Sequence, residues 1–396
     1  MKYYHIPQEF YRSFLILLIL LAATGSAFAL DLEISGEIKT GLYMEQREQG
    51  GETYSYTRMY NNDGDSGEAE GRIRLGLNLT QGNFGIRTRF FQESFARGGT
   101  DDPSAKRVGM DFAYAYGNLL NNQFTISAGL LGESPWGTGG QDLFREVEYA
   151  DDGSPVMGIR TEWKPNFLPG LNLGFVLNRQ DDTMPLDAKE QFGDIFMESI
   201  VGIAWEHEYF AFRFAYRFDR GIDSDAAISN GERFVYRVEE RILGKLLPGM
   251  QVWANGYCYG IGAEGKGSGR TTPGYMQNWL YVSYDPEYCT AGINVGYRDE
   301  YVNNGQWLEF KPFFYWKFFD NFLVAGMMGG LQIGFNNNKN FENAFYNYWF
   351  IEPQVRANIT SNIYAAVVYR YTSSPPNSSG NVDTTHWVNV RLVYTF

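Results

Sequence analysis

A two-residue period runs through TTHWVNVRLVYTF, the stretch from Thr384 to Phe396. Every second residue from Val388 to Phe396 is apolar, and mostly polar side chains stand between them. This period is typical of a β-strand whose two faces meet different surroundings. A soluble edge strand this apolar would invite aggregation, whereas a strand that closes a membrane barrel has no free edge. The pattern therefore favours a membrane strand over the alternative, the edge of a soluble sandwich.

The same stretch resembles the terminal strand of bacterial outer-membrane β-barrels. In that family a final aromatic residue, usually Phe, serves as the assembly signal. Phe396 matches this position, and Tyr394 matches the aromatic residue two places earlier. The resemblance implies a location in the outer membrane, contact with its lipid, and recognition of Phe396 by the barrel-assembly machinery.

The first thirty residues have the pattern of a secretory signal peptide. Lys2 and Arg12 precede the apolar run 14–23, and the small-residue motif Ala27–Ala29 follows it. Such an order predicts cleavage after Ala29. The chain is then a signal peptide at residues 1–29 and a single barrel domain at residues 30–396. An uncleaved membrane anchor is the alternative.

The composition fits a barrel better than a helical membrane protein. No second apolar run reaches the ~18–20 residues that a membrane helix needs. The 28 Tyr, 30 Phe and 9 Trp among 396 residues suit the aromatic girdles of a barrel. Cys258 and Cys289 fall on non-adjacent predicted strands, and we expect no disulfide between them.

Alternating segments recur along the chain between short and long connections. A first strand at about 31–44 and a hairpin around Gly82 set the pattern. Eight short and nine long connections join eighteen strands; sixteen is the alternative. The short connections lie near Gly82, Asn121, Phe167, His207, Pro248, Pro286, Asp320 and Ser361, and the long ones near 45–67, 95–106, 133–153, 180–194, 219–232, 262–274, 299–305, 336–343 and 373–383.

We therefore predict an all-β, transmembrane, antiparallel up-and-down barrel with short periplasmic turns and long extracellular loops. A β-propeller needs four strands in each repeat of about 40 residues, and here there are two. Three residues fit less well. Glu240 lies on the same face of its predicted strand as the apolar residues that should face lipid. This predicts a bulge or a position at the rim. Pro312 and Pro353 interrupt strands, and bulges are the expected accommodation.

The sequence offers little for catalysis, and we predict neither an enzyme nor a cofactor. His207 lies at a short turn, and His386 has no recognisable Ser or Asp partner motif. No group of residues has the spacing of a metal site. A net charge of −13 gives no basic surface for nucleic acid.

The strand arginines lie opposite the apolar stripe, on the face that would line the lumen. Because lipid excludes charge, the exclusion alone explains why these arginines share the face opposite the apolar stripe. Four of them, Arg72, Arg74, Arg87 and Arg89, come from one hairpin and form a patch. Arg213 and Arg217 lie on a later strand. We predict that all six line a pore.

The acidic excess lies in the long loops, four of which carry fifteen net negative charges. Loop 133–153 is the third, and its acidic residues include Glu133, Asp142, Glu146 and Glu148. Its position resembles the third loop of general bacterial porins, which folds into the barrel and faces a basic cluster. The resemblance implies a constriction between these carboxylates and the arginine patch. An ordinary surface loop is the alternative.

Together these patterns favour a porin through which small hydrophilic solutes diffuse. A channel selective for sugars or carboxylates is one alternative. A surface adhesin, or a structural barrel with a closed lumen, is another. A homotrimer is possible, and the sequence does not choose between trimer and monomer.

Overall fold

A computed structural model describes the chain over residues 30–59, 72–92, 109–131, 135–136, 156–179, 199–218, 232–261, 275–300, 305–335, 347–375 and 380–396. The expected signal peptide at residues 1–29 lies outside these ranges and stays a prediction. Among the described residues, no helix is both long and apolar enough to cross a membrane.

The described fold consists of nineteen strands and one short helix, α1, which covers Ile242–Leu246. The strands are β1 (Asp31–Gln49), β2 (Glu52–Met59), β3 (Arg72–Gln81), β4 (Phe84–Gln92), β5 (Gly109–Leu119), β6 (Phe124–Leu131), β7 (Val156–Trp163), β8 (Leu171–Arg179), β9 (Ile200–Glu206), β10 (Phe210–Arg217), β11 (Glu232–Glu240), β12 (Met250–Ile261), β13 (Tyr275–Tyr284), β14 (Cys289–Glu300), β15 (Gly305–Phe318), β16 (Leu323–Gly334), β17 (Tyr348–Asn358), β18 (Ile363–Ser373) and β19 (Thr384–Thr395).

All strands belong to one antiparallel sheet that closes on itself through β1 and β19. The first half of β1 pairs with β3, and the second half pairs with β2. These two strands therefore occupy a single position in the barrel, which has eighteen positions. The predicted up-and-down barrel of eighteen strands is confirmed, and the alternative of sixteen is wrong.

The terminal strand closes the barrel as its period predicts. Val390 pairs with Leu42 in the middle of the β1–β19 ladder. At its end, the Phe396 amide donates to the Gly36 carbonyl at 3.0 Å, and the Gly36 amide donates to the Phe396 carbonyl at 2.7 Å. A Cβ atom on Gly36 would lie 2.4 Å from Cζ of the Phe396 ring, so only glycine leaves room for this aromatic end.

All eight predicted short turns join consecutive strands, but the first predicted long loop is wrong. Instead of a loop at 45–67, β1 continues to Gln49 and turns at Gly50 and Gly51, whose φ angles are 62° and 89°. β2 then pairs back along β1. The apolar stripe of β1 ends at Met44, and the strand continues past it. Backbone pairing needs no apolar side chains, so the strand goes on.

Burial in this barrel is the reverse of burial in a soluble protein. Large apolar side chains such as Leu32, Met327 and Val355 are about half exposed and point outward. Polar side chains such as Gln277 and Asn294 are about 1% exposed and point into the barrel. An apolar outer belt around a polar interior is what a barrel in lipid requires. This arrangement explains why apolar and polar residues alternate along the strands in the sequence.

Glu240 ends β11 at the rim, as one of the two expectations for it states. Its carboxylate accepts hydrogen bonds from the backbone amides of Ile242 at 2.5 Å and Leu243 at 2.9 Å. These are orphan donors of the first turn of α1, so a charge that would be costly in lipid here caps a helix.

The bulges expected at Pro312 and Pro353 are wrong. The register between β15 and β16 is the same on both sides of Pro312, as the pairs Phe310–Leu331 and Phe313–Met328 show. Likewise, β17 and β18 keep one register across Pro353. Each outward-facing proline removes local pairs without adding a residue. The register shifts of the described sheet occur elsewhere, in the β4–β5 and β11–β12 ladders.

Cys258 lies on β12 and Cys289 on β14, with the whole of β13 between them. The two cysteines are not joined in a disulfide. The predicted placement on non-adjacent strands is confirmed.

Candidate functional site: the wall of the barrel lumen

The predicted arginine patch lies on the two strands that the sequence assigns to it. Arg87 is directly opposite Tyr114, a buried residue of the interior cluster. Arg89 is opposite Phe112, and its guanidinium carbon is 4.8 Å from the centre of that ring. Arg74 follows on β3, opposite Phe91. The ladder thus places these three on the luminal face of neighbouring strands.

Arg72 belongs to the same strand as Arg74 and pairs through its backbone with Lys39. Its side chain is outside what the structure describes. The role of the whole patch toward solutes stays a prediction.

Arg213 and Arg217 lie six positions further round the barrel, on β10, in different surroundings. The Arg213 guanidinium donates to Glu206 Oε1, with Nη2 at 3.0 Å. Arg217 is almost wholly buried, with 2% of its surface exposed, and pairs with Ile200. The two arginines therefore do not extend the first patch, and each belongs to its own local environment.

A network of alternating charges surrounds Arg213 at the short-turn end of β9–β11. Glu206 also accepts from Arg241 Nη2 at 2.6 Å, and Arg241 Nε reaches Glu239 at 3.0 Å. Glu239 in turn lies 3.5 Å from Arg237 Nη2. Because each carboxylate serves two guanidinium groups, the network fixes these long side chains against the wall.

Two cavities of about 380 Å³ adjoin this network at the short-turn end. One lies under α1 and is lined by Arg237, Lys245 and Trp253, among others. At its edge the Lys245 ammonium donates to Glu208 at 3.1 Å, which holds the pKa of Glu208 below its ordinary value. The Glu208 carboxylate therefore stays ionised at any pH near neutrality.

A second group of luminal arginines lies on β17–β19, next to the first patch across the barrel closure. Arg356 and Arg391 both pair with Ala366, one from each side. Four residues further along β18, Arg370 Nε donates to the buried Glu352 at 2.5 Å, and Arg370 stacks on Phe350. The sequence assigns these arginines to the luminal face, and the pairing agrees.

The acidic side of the predicted constriction, Glu133, Asp142, Glu146 and Glu148, lies outside the described residues. Two neighbours of Glu133, namely Pro135 and Trp136, are described. The indole of Trp136 is completely buried in the interior cluster, against strands β8–β10. Sequence reasoning missed this residue, although Gly174 and Gly202 mark its place once the register is known.

The two histidines lie apart from this wall. His207 stacks on Phe210 at the turn after β9, with ring centres 5.1 Å apart. His386 faces outward, with its Nδ1 at 2.8 Å from the hydroxyl of Tyr369. Both positions fit packing and the membrane interface, as the sequence suggests.

No protein-family model matches the sequence, and no curated protein does. Several solved structures match the fold. The anion-selective porin from Comamonas acidovorans has a TM-score of 0.54 and 11% identity, and the match covers 93% of this chain and 100% of that one. This chain has the fold of a bacterial outer-membrane porin. OpdQ from Pseudomonas aeruginosa matches with a TM-score of 0.52, 9% identity and coverage of 92% and 98%.

A third porin-type match, OccK11 (OpdR) from Pseudomonas aeruginosa, has a TM-score of 0.50 and 11% identity over 92% of this chain and 96% of that one. Identities this low establish the porin fold and nothing finer. Its apolar outer belt is what a barrel embedded in lipid presents. What passes through it has to be argued from its own luminal wall.

Proposed function

We propose that this porin is a passive channel for small hydrophilic solutes, with a preference for anions. The observation that carries the proposal is the run of guanidinium groups along the inner wall, from β17 through the barrel closure to β4. It comprises Arg356, Arg391, Arg74, Arg89 and Arg87. Fixed positive charge in a narrow passage is weakly screened, so it raises the local concentration of anions.

Between the two kinds of selective channel, the wall favours carboxylates over sugars. A sugar track needs exposed aromatic faces on which rings can stack. Trp253, Tyr281 and Phe313 form a stacked row in the lumen, but at most 6% of each is exposed. Trp387 is buried as well. Guanidinium groups, by contrast, match carboxylates in charge and geometry.

The proposal includes loop 133–153 as the element that narrows the pore. Its carboxylates would lie across the lumen from the arginine patch and set a transverse field on passing solutes. The burial of Trp136 supports an inward path for the start of this loop. Residues 1–29 are proposed to be removed during export, and Phe396 to be the end that the assembly machinery recognises.

The test is a planar-bilayer recording with a tenfold salt gradient. Arg87→Gln/Arg89→Gln should shift the reversal potential toward cations by about 10 mV, within a range of roughly 59 mV on either side of zero. The single-channel conductance should change only modestly, because Gln removes the charge of each arginine but keeps most of its side-chain volume.

Lys245→Gln is the matched control, since it removes one positive charge from α1 at the rim instead of from the wall. It should leave the reversal potential unchanged. An unchanged potential in the double arginine variant would refute anion preference from this patch. A folded wild-type barrel that conducts no ions at all would refute the channel and favour a closed structural barrel or an adhesin.

A further inference from the structure

Trp136 occupies a seat in the barrel wall that three neighbouring strands leave empty for it. The seat lies on one row of the sheet, where Gly174 on β8 pairs with Gly202 on β9, and Gly202 pairs with Ala215 on β10. These are the smallest residues available. On either side of them the same row holds Glu162 and Val235.

The two glycines leave no room for any side chain while Trp136 is in place. A Cβ atom on Gly174 would lie 1.8 Å from Cζ2 of the indole, and one on Gly202 would lie 2.0 Å from Cδ2. Real Cβ atoms essentially never approach another atom within 3.0 Å. The indole therefore rests directly on the backbone of the wall.

Backbone conformation does not require glycine at either position. Neither Gly174 nor Gly202 has a positive φ angle, unlike Gly170 at the nearby turn. A glycine inside a strand weakens it, and an otherwise unexplained one marks a close approach by another group. Here the approaching group is Trp136.

The remaining walls of the seat are apolar. Val176, Ile200 and Ala204 complete it, and all are at least nine-tenths buried. Trp136 follows Leu131, the last residue of β6, by five residues and belongs to the same interior cluster as Val176 of β8 and Ala215 of β10. Trp136 therefore lies on the luminal side of the wall.

We propose that Trp136 is the positioning residue that fastens the connection after β6 to the luminal wall, so that the Pro135–Trp136 turn permanently narrows the channel. This inference rests on the proposed channel function and adds the contact that sets its width. The specificity of the seat lies in the glycine pair, because any larger residue there would expel the indole.

The test compares the peg with its seat. Trp136→Ala and Gly202→Ala should each raise the single-channel conductance by about 1.5-fold or more, since the Pro135–Trp136 turn is no longer held in the channel. The double variant should match Trp136→Ala alone, because the added methyl group has nothing left to displace. Unchanged conductance in Trp136→Ala, or additive effects in the double variant, would overturn the proposal.

Gly330→Ala is the matched control. Its Cβ atom would lie 1.9 Å from the Phe350 ring, which is a similar clash on the luminal wall without Trp136. It should not raise the conductance, and its effect should be the same with and without Trp136. A rise equal to that of Gly202→Ala would mean that any wall clash widens the pore, which also overturns the assignment.

A second measurement does not depend on conduction. In a Cys258→Ser/Cys289→Ser background, Pro135→Cys should react slowly with a bulky maleimide in detergent micelles. Adding Trp136→Ala should raise the labelling rate about fivefold or more, because the turn is no longer held against the wall. Equal rates would refute the peg. A rise in labelling together with a non-conducting wild type would refute the channel and leave the peg standing.

Discussion

Removing the carboxylate of Glu352 should destabilise the barrel measurably from the inside. Glu352 is 2% exposed and accepts hydrogen bonds from Arg370 Nε at 2.5 Å and Gln354 Nε2 at 2.5 Å. Arg370 Nη2 reaches the same carboxylate. Glu352→Ala would therefore remove a hydrogen-bond acceptor from the Arg370 guanidinium and from the Gln354 amide at once.

The size of the loss in the free energy of unfolding depends on how far the remaining Arg370 guanidinium is shielded from water. Breaking a fully buried ion pair costs about 3–5 kcal/mol. The Arg370 side chain keeps 21% of its surface exposed to the lumen. It also stacks on Phe350 at 4.4 Å and Trp387 at 5.1 Å, which retains about 1 kcal/mol of favourable interaction. The expected loss in the free energy of unfolding is then about 2–4 kcal/mol.

The measurement is denaturant unfolding of the barrel in lipid vesicles, followed by tryptophan fluorescence, with the loss read from the shift in midpoint. Glu208→Gln is the control, since it breaks an exposed pair and should leave the midpoint unchanged. Glu352→Ala/Arg370→Ala should recover part of the loss. A loss below about 1 kcal/mol for Glu352→Ala would show that luminal water solvates Arg370 and would refute the reasoning.

Three further outcomes are expected. Reducing and non-reducing gels should show the same mobility, and protein denatured without reductant should bind maleimide at both Cys258 and Cys289; the absence of any reactive thiol before reduction would indicate a disulfide and contradict their separation by β13. Deleting Phe396, or Gly36→Val, should impair barrel insertion in cells while leaving export intact, as judged by heat-modifiable mobility, and normal outer-membrane levels of either variant would count against closure by the aromatic end. Glu240→Ala should lose about 1 kcal/mol through the uncapped first turn of α1, and Glu240→Gln less, so equal stability of all three proteins would argue against capping.

The strand count could be predicted from the sequence because strands that face lipid alternate apolar and polar residues, and turn residues separate one strand from the next. The alternation is lost in the parts of strands that do not face lipid. The stretch from Glu45 to Met59 is mostly polar on both faces, so its sequence predicts a loop although it pairs as a hairpin. Pro312 and Pro353 look disruptive locally, but the ladders on both sides of each strand hold their register.

The luminal face of the arginines was predictable from parity alone, whereas their partners were not. Whether Arg213 meets Glu206, or Arg370 meets Glu352, depends on the register of each hairpin, which the alternation of residues alone does not encode. Trp136 is the sharpest case. One aromatic residue in a glycine-rich connection carries no signal, and its seat exists only when Gly174 and Gly202 are brought opposite each other.

The hairpin of β1 and β2 projects from one end of the barrel. At about 3.4 Å per residue, the nineteen residues of β1 extend roughly 65 Å, well beyond an apolar band of ~25 Å even when tilted. Its tip is Gly50 and Gly51, and a side chain on Gly50 would meet nothing within 4 Å. This tip lies at the end of the barrel opposite the short turns, past the apolar belt. A peptide inserted between the two glycines would therefore break no strand pair.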